Sequence, residues 1–113
     1  MQPINRHGAE HYLWGHDCHG WHLVKDANLS VIQEQMPPGT NEVRHFHQMS
    51  QQFFFILSGE ASMEINREIV TLRSGEGLYV PRETPHQIQN VSDRPVEFLV
   101  ISQPPSHGDR VMC

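Results

Sequence analysis

The sequence predicts an all-β domain that closes into a barrel or a double-sheet jelly roll. From Trp21 onward, apolar segments of about five to eight residues alternate with breaks rich in Gly, Pro, Asn and Asp, which is typical of strands joined by turns. No window from 21 to 101 repeats apolar residues at the 3.6-residue period of an amphipathic helix. Many short strands in one chain favour closure, because open sheet edges invite aggregation.

The strand boundaries follow from the turn residues. Breaks are expected at Pro37-Pro38-Gly39, at Ser58-Gly59 and at Asn66-Arg67, all of which have recognised turn chemistry. The predicted strands are 21–26, 29–36, 43–48, 51–58, 61–65, 68–72, 77–81, 86–91 and 96–101. The chain is thereby divided into an irregular N-terminal arm (1–20), a β-barrel domain (21–103) and a C-terminal tail (104–113). We expect the tail to be poorly ordered or to lie over the outside of the barrel.

Length and charge restrict the function classes. A chain of 113 residues fits one domain with a modest core. The net charge is −5 and the 8 Lys and Arg are scattered singly, which argues against a nucleic-acid surface and an anionic membrane. We expect no membrane span and no signal peptide, because no apolar run is long enough. Since Cys18 and Cys113 are not an evident pair, a cytoplasmic location is the default expectation.

The histidines are the most unusual feature of the composition. There are 9 of them, and His45 and His47 lie two residues apart in a predicted strand, so both imidazoles project from the same face. A hairpin after this strand would bring a glutamine amide of Gln51-Gln52 alongside them. His86 follows Pro85 at the start of another predicted strand.

These groups predict a metal site. Three imidazole nitrogens and one amide oxygen suit a single divalent ion, Zn, Ni, Fe, Mn or Co, with positions left for water or substrate. The alternative is that the three histidines are polar residues that merely line a small barrel. The spacing favours the metal, because three ligands of suitable type converge together with a fourth polar donor.

Two stretches of the sequence resemble the motifs of the cupin family. The stretch Gly39-x5-His45-x-His47-x4-Gln52-x6-Gly59 resembles the first motif, with glutamine where glutamate is usual, and Gly75-x5-Pro81-x-Glu83-x2-His86-x3-Asn90 resembles the second, with Glu83 where glycine is usual. The resemblance implies a double-stranded β-helix, that is, a jelly-roll barrel. It also implies a central metal held by His45, His47, Gln52 and His86, and frequent homodimers.

Strand alternation extends the prediction to a substrate pocket. If Gln52 and His86 face inward, the residues that follow them at every second position face the same way, and residue 98 faces them from the far side. The predicted pocket residues are therefore Phe54, Ile56, Ile88, Asn90 and Phe98. Phe53 and Phe55 then face outward, and either a second subunit or the N-terminal arm would cover them. Alternation places no Arg or Lys inward, so a strongly anionic substrate is not required. No catalytic residue is identified.

The glutamine in the first motif bears on the chemistry. An amide in place of a carboxylate leaves the site at the +2 charge of the ion, which favours Lewis-acid chemistry over redox cycling with O2. The same three-His, one-Gln pattern occurs in cupins that open unsaturated uronate rings and in some polyketide cyclases. We therefore predict non-redox isomerisation or ring opening of a small polar molecule, such as a sugar derivative or organic acid. The alternatives are a non-catalytic binding or sensing cupin, a metal-dependent dioxygenase, and a storage-type barrel without metal.

Overall fold

The computed structural model describes residues 1–113 as two antiparallel sheets. The eleven strands are β1 (Glu10–Trp14), β2 (Cys18–Lys25), β3 (Ser30–Met36), β4 (His45–His47), β5 (Gln51–Ser58), β6 (Glu60–Ile65), β7 (Glu68–Arg73), β8 (Gly77–Val80), β9 (His86–Gln89), β10 (Val96–Gln103) and β11 (Arg110–Met112). One sheet has the order β1-β2-β3-β10-β5-β8, and the other has the order β11-β4-β9-β6-β7. The all-β prediction is confirmed. No helix in the structure has the length and hydropathy that a membrane span requires.

The nine strands predicted from Trp21 onward all form, with bounds that differ from those expected by about three residues at most. In β10 the buried residues are Val96, Phe98, Val100 and Ser102, at alternate positions on the inner face. The turn expected at Asn66-Arg67 joins β6 to β7. Both of its residues have positive φ (49° and 69°), as a two-residue turn that matches the twist of a hairpin requires.

The N-terminal arm is more regular than predicted. Glu10–Trp14 forms β1 and pairs with β2, which already begins at Cys18, so an irregular arm over 1–20 is corrected to an edge hairpin. The ring of Tyr12 lies directly over Gly20, where an added Cβ would come within 2.2 Å of Tyr12 Cζ. The glycine thus makes room for an aromatic side chain on the inner face. The strand escaped prediction because Tyr12, Leu13 and Trp14 are consecutive and do not alternate with polar residues.

The C-terminal tail also contributes a strand. The expectation of a poorly ordered segment, or of one outside the barrel, is corrected because β11 pairs with β4, with Arg110 opposite His47 and Met112 opposite His45. The tail therefore completes the edge of the five-stranded sheet. The two sheets include residues on both sides of the predicted 21–103 domain.

The hydrophobic core lies between the sheets toward one end of the strands. It contains Met36 and Val96, which face each other across β3 and β10, together with Ile56 and Phe98. At the other end of the same strands the inner faces carry smaller or polar residues, such as Ser30 and Gln52, and a cavity replaces the core. The fold thus separates a packed end from an open end.

Candidate metal centre

Two of the candidate ligands come from β4. His45 and His47 point to the inner face because they are two residues apart in a strand. Both are buried, and their Nε2 atoms lie 3.1 Å apart. At this spacing the two ring nitrogens share one small space between the sheets.

The third histidine comes from β9. His86 is the residue of β9 paired with His45, and their ring centroids are 4.5 Å apart. His86 is completely buried and lies behind the cavity wall. His45, His47 and His86, the three-histidine cluster, each offer one ring nitrogen that could hold a metal ion, and these nitrogens all lie within 4.8 Å of one another. The convergence predicted from the sequence is therefore present.

Backbone carbonyls fix the orientation of two of these rings. His45 Nδ1 donates to the carbonyl oxygen of Val43 at 2.7 Å, and His86 Nδ1 donates to that of Thr84 at 2.9 Å. Because a carbonyl can only accept, Nδ1 carries the proton in each ring and the Nε2 lone pair is left for a ligand bond. This outer hydrogen bond is typical of metal-binding histidines.

The cluster is held in its neutral form. Desolvation by burial lowers the pKa of His45 to about 3 and that of His47 to about 4, and it also lowers the pKa of His86. Neutral imidazole is the form that binds a metal ion. Near neutral pH, protons therefore do not compete for these nitrogens.

Gln52 faces the same cavity from β5. Its side chain is buried, and its Nε2 donates to Ser102 Oγ at 3.0 Å, which leaves Oε1 without a hydrogen-bond partner. The neighbouring Gln51 is occupied on the outer face, where its side chain bonds Gln103 and Tyr79. Of the two glutamines, only Gln52 offers an amide oxygen to the cavity.

Buried polar atoms without hydrogen-bond partners show whether the site suits a metal ion. His86 Nε2, His47 Nδ1 and Gln52 Oε1 are buried with no hydrogen-bond partner. Each unsatisfied buried polar atom costs about 1–3 kcal/mol, and such groups call for an explanation in a native fold. For His86 Nε2 and Gln52 Oε1 a divalent cation supplies one, because both present a lone pair. The residues present therefore fit a metal ion.

The sequence of this chain matches the model of a known protein family. The cupin domain model matches residues 32–102, which include all three clustered histidines and Gln52. The chain belongs to the cupin family.

Known proteins similar to this cupin include curated relatives and solved structures. An uncharacterised protein of Methanocaldococcus jannaschii is 32% identical over 88 residues, which cover 77% of this chain and 70% of that protein. The chain spans only 42%, 44% and 41% of the lengths of three further curated relatives from Streptomyces species.

Two solved structures share the fold at low sequence identity. A sugar phosphate isomerase of the cupin superfamily from Silicibacter pomeroyi superposes with a TM-score of 0.80 at 18% identity, over 90% of this chain and 75% of that one. A predicted oxalate decarboxylase from Thermotoga maritima also has a TM-score of 0.80, at 19% identity, over 90% of this chain and 98% of that one. These likenesses confirm the double-stranded β-helix.

A cavity of about 770 Å³ opens onto the cupin's histidine cluster. His45, His47 and Gln52 form its inner end. The hairpin of β1 and β2 supplies one wall, with Tyr12 and Trp14, and tail residues 105–108 line it as well. Both segments that the sequence placed outside the barrel thus border the site.

Only one of the five predicted pocket residues lines the cavity. Phe54 lies in the cavity wall as well as in the hydrophobic core, whereas Ile56, Ile88 and Phe98 belong to the core alone. Asn90 is buried, and its side-chain amide donates to the carbonyl oxygens of Met36 and Arg94, so it holds a loop together. Alternation assigned the inner face to these positions, but it did not separate the packed end of the strands from the open end.

Two carboxyl groups in the cavity were not identified from the sequence. Burial, reinforced by the nearby Glu42, raises the pKa of Glu34 to about 8, and burial raises the pKa of Glu42 to about 7. Glu42 Oε1 lies 3.9 Å from His45 Nδ1 and accepts a hydrogen bond from the Ile88 N–H. Glu34 shares the inner face of β3 with Met36, so extending the alternation to β3 would have found it.

A basic residue also faces the cavity, contrary to the expectation that none is directed inward. Arg110 lines the cavity from β11, directly opposite His47 in the sheet register. Sequence reasoning missed it because the tail was not expected to pair with β4. A three-residue strand carries too little periodicity to be recognised.

Proposed function

We propose that this cupin binds one divalent metal ion through His45, His47, Gln52 and His86 and acts on a small polar organic molecule by non-redox chemistry. The observation that carries the proposal is that His86 Nε2 and Gln52 Oε1 are buried acceptors without hydrogen-bond partners, and that Gln52 also lines a cavity that is open to small molecules. Isomerisation and ring opening are the reactions that we favour.

The ligand set supports Lewis-acid chemistry. All four proposed ligands are neutral, so a divalent ion held there keeps its full charge and polarises a carbonyl or hydroxyl oxygen. A carboxylate ligand would instead favour a higher oxidation state. The absence of a charged ligand is therefore the reason for preferring isomerisation or ring opening over oxygenation.

The cavity walls supply what such a reaction also needs. Glu34 retains its carboxyl proton near neutral pH because burial raises its pKa to about 8, so it can hold or release a proton at the cavity wall. Tyr12, Trp14 and Phe54 cover the cavity with aromatic surface and limit the access of water. The aromatic side chains of the walls therefore orient the substrate, and the carboxyl groups transfer protons.

The names of similar proteins support a small polar substrate but select none. The solved structures that share the fold include a sugar phosphate isomerase and a predicted oxalate decarboxylase, both named for small oxygen-rich molecules. We extend to this cupin only the common class, sugar derivatives and organic acids.

The test of this function is turnover by metal-loaded and metal-stripped protein. A panel of uronates, keto acids and ketoses should contain a compound that is consumed only by the loaded protein, without O2 uptake. Binding without consumption would identify a sensing or binding cupin instead. Sustained O2 consumption would identify a dioxygenase and would contradict the role given to Gln52.

We propose further that the protein is a homodimer formed through the outer face of the six-stranded sheet. Phe53 and Tyr79 are 37% and 53% exposed there, and Phe53 stacks on Phe55. The N-terminal arm covers another part of this face, where Arg6 packs over Trp21. Light scattering should therefore show a dimer for wild-type protein and a monomer for Phe53→Ser, whereas a monomeric wild type would contradict the proposal.

We also propose a reducing compartment such as the cytoplasm. Its support is that buried Cys18 and exposed Cys113 are both free thiols.

A further inference from the structure

We propose that Arg110 is an anion-binding residue and that the molecule it recognises carries a carboxylate group. The inference rests on the proposed function in one respect, since it places the other end of that molecule at the metal centre. It narrows the proposed substrate class to molecules that carry a carboxylate, and it names a residue that selects for them.

The sheet register places Arg110 next to the metal centre. Arg110 is the Cα partner of His47 in the pairing of β11 with β4. Paired Cα atoms in an antiparallel sheet lie about 4.5–5.5 Å apart, and their side chains project from the same face. Arg110 therefore lines the cavity beside the histidine that forms its inner end.

The position of Arg110 is fixed by the residue before it. The carboxylate of Asp109 accepts hydrogen bonds from the backbone N–H groups of Gln48, Met49 and Ser50, at 3.1, 2.9 and 2.9 Å. These bonds tie the start of β11 to the loop between β4 and β5. Arg110 is thus carried on an anchored strand next to the cavity.

The guanidinium of Arg110 has no protein partner. Arg6, Lys25, Arg44 and Arg73 are paired with carboxylates, whereas Arg67, Arg82 and Arg94 form no ion pair and lie away from the cavity. Arg110 has no carboxylate within 4.0 Å and makes no side-chain hydrogen bond. An unpaired guanidinium on a cavity wall offers two parallel N–H donors to a planar anion.

The charge of Arg110 also acts on a carboxyl group of the cavity. Burial and the nearby Glu42 raise the pKa of Glu34, and the charge of Arg110 partly opposes this shift. The side chain of Arg110 is exposed to solvent and also lines the cavity, so an anion that enters from solvent can reach it.

The surroundings favour a carboxylate over a phosphate. Glu34 and Glu42 face the same cavity, and a phosphate dianion would meet their repulsion whenever they ionise. The other cationic side chain in the wall, Lys25, is already bonded to both carboxylate oxygens of Glu10. The wall thus offers one free guanidinium, whose two parallel N–H donors match the two oxygens of one carboxylate.

The test measures ligand binding to metal-loaded protein by calorimetry, with lactate, its neutral amide lactamide, and inorganic phosphate as probes. Wild-type protein should bind lactate at least about tenfold more tightly than lactamide, and more tightly than phosphate. Arg110→Gln should lose this preference. Arg94→Gln, which removes an exposed arginine in the loop before β10, should retain it.

Several outcomes would overturn the proposal. One is that the wild type binds phosphate more tightly than lactate, and another is that it does not bind lactate at all. An unchanged lactate preference in Arg110→Gln would also overturn the proposal, because the metal alone would then hold the carboxylate. Metal content, measured in parallel, separates this inference from the proposed function. Because Arg110 is not a proposed ligand, its variant should keep the wild-type metal content. If the wild type bound no metal but still preferred lactate, and Arg110→Gln lost that preference, the metal centre would be refuted and the role of Arg110 would stand.

Discussion

The carboxylate of Asp109 accepts a hydrogen bond from the backbone N–H of Ser50 at 2.9 Å, and this bond connects the last strand to the loop between two ligand-bearing strands. His47 precedes that loop and Gln52 follows it. Ser50 strengthens the connection, because its hydroxyl donates to the carbonyl oxygen of Pro104. The C-terminal tail is therefore part of the support of the candidate metal centre.

Replacing Asp109 with Asn should destabilise the protein by about 1–2 kcal/mol, because charge-assisted bonds to three backbone N–H groups are weakened. Urea unfolding measures this loss. Asp93→Asn, in an exposed turn, is the control and should have little effect. Equal stability of both variants would show that the tail does not support the loop.

The cost of Asp109→Asn should depend on pH. Desolvation acts to raise the pKa of Asp109, but hydrogen bonds from Met49, Ser50 and Gln48 outweigh it and lower the pKa below its ordinary value. A lowered carboxyl pKa stabilises the fold above the unfolded-state pKa, and that stabilisation is lost as pH falls through the lower folded-state value. The difference between wild type and variant should therefore be full at neutral pH and shrink below about pH 4.

Glu34 should have the opposite pH dependence. Burial first, and the neighbouring Glu42 second, raise the pKa of Glu34 to about 8, so the fold favours its protonated form. Ionisation then costs stability, and the cost grows as pH rises from the ordinary pKa of about 4.3 toward 8. Glu34→Gln should gain stability relative to wild type over this range, as thermal unfolding at pH 5 and pH 8 would show. Glu68→Gln, on an exposed strand end, should show no such trend.

Gln52→Glu should respond to metal in a way that Gln52→Ala does not. The carboxylate would be buried beside three neutral histidines, so without metal the variant should be less stable than wild type at neutral pH. Added divalent ion should restore or exceed wild-type stability, because the new charge is then neutralised. Thermal unfolding with and without metal measures both effects, and a metal-independent loss would contradict the placement of residue 52 at the metal.

Gly20→Ala should disturb the cavity wall rather than the core. The new methyl group would overlap the ring of Tyr12, which must move and take the covering hairpin with it. We expect a loss of about 1–3 kcal/mol, with faster proteolysis confined to residues 1–20. The double variant Gly20→Ala with Tyr12→Ala should recover part of the loss, and failure to recover would place the strain elsewhere.

The predictable part of the site is the part encoded by local periodicity. His45 and His47 lie two residues apart in one strand, so their common direction follows from strand geometry alone. Arg110 could not be found in this way, because its role depends on a pairing with His47 across 63 residues of chain. The same holds for β1, where Tyr12, Leu13 and Trp14 do not alternate with polar residues, so that the strand is defined by its pairing with β2.

The fold was predictable to a greater extent than the cavity. Turn residues and alternation locate nine strands, since both signals are local. An inward-facing residue contacts either the hydrophobic core or the cavity, and which of the two it contacts depends on how far along the barrel it lies. Phe54 and Ile56 show this, because they share one face of β5 and yet only Phe54 reaches the cavity.

The central claim is that His86 Nε2 binds a metal ion together with His45 and His47, and elemental analysis of purified protein tests it most directly. Wild-type protein and His7→Ala, which removes an exposed histidine of the arm, should each retain about one equivalent of a divalent transition metal. His86→Ala should retain less than about a tenth of it, while circular dichroism confirms that the fold persists. Equal metal content in His86→Ala and His7→Ala would contradict the account.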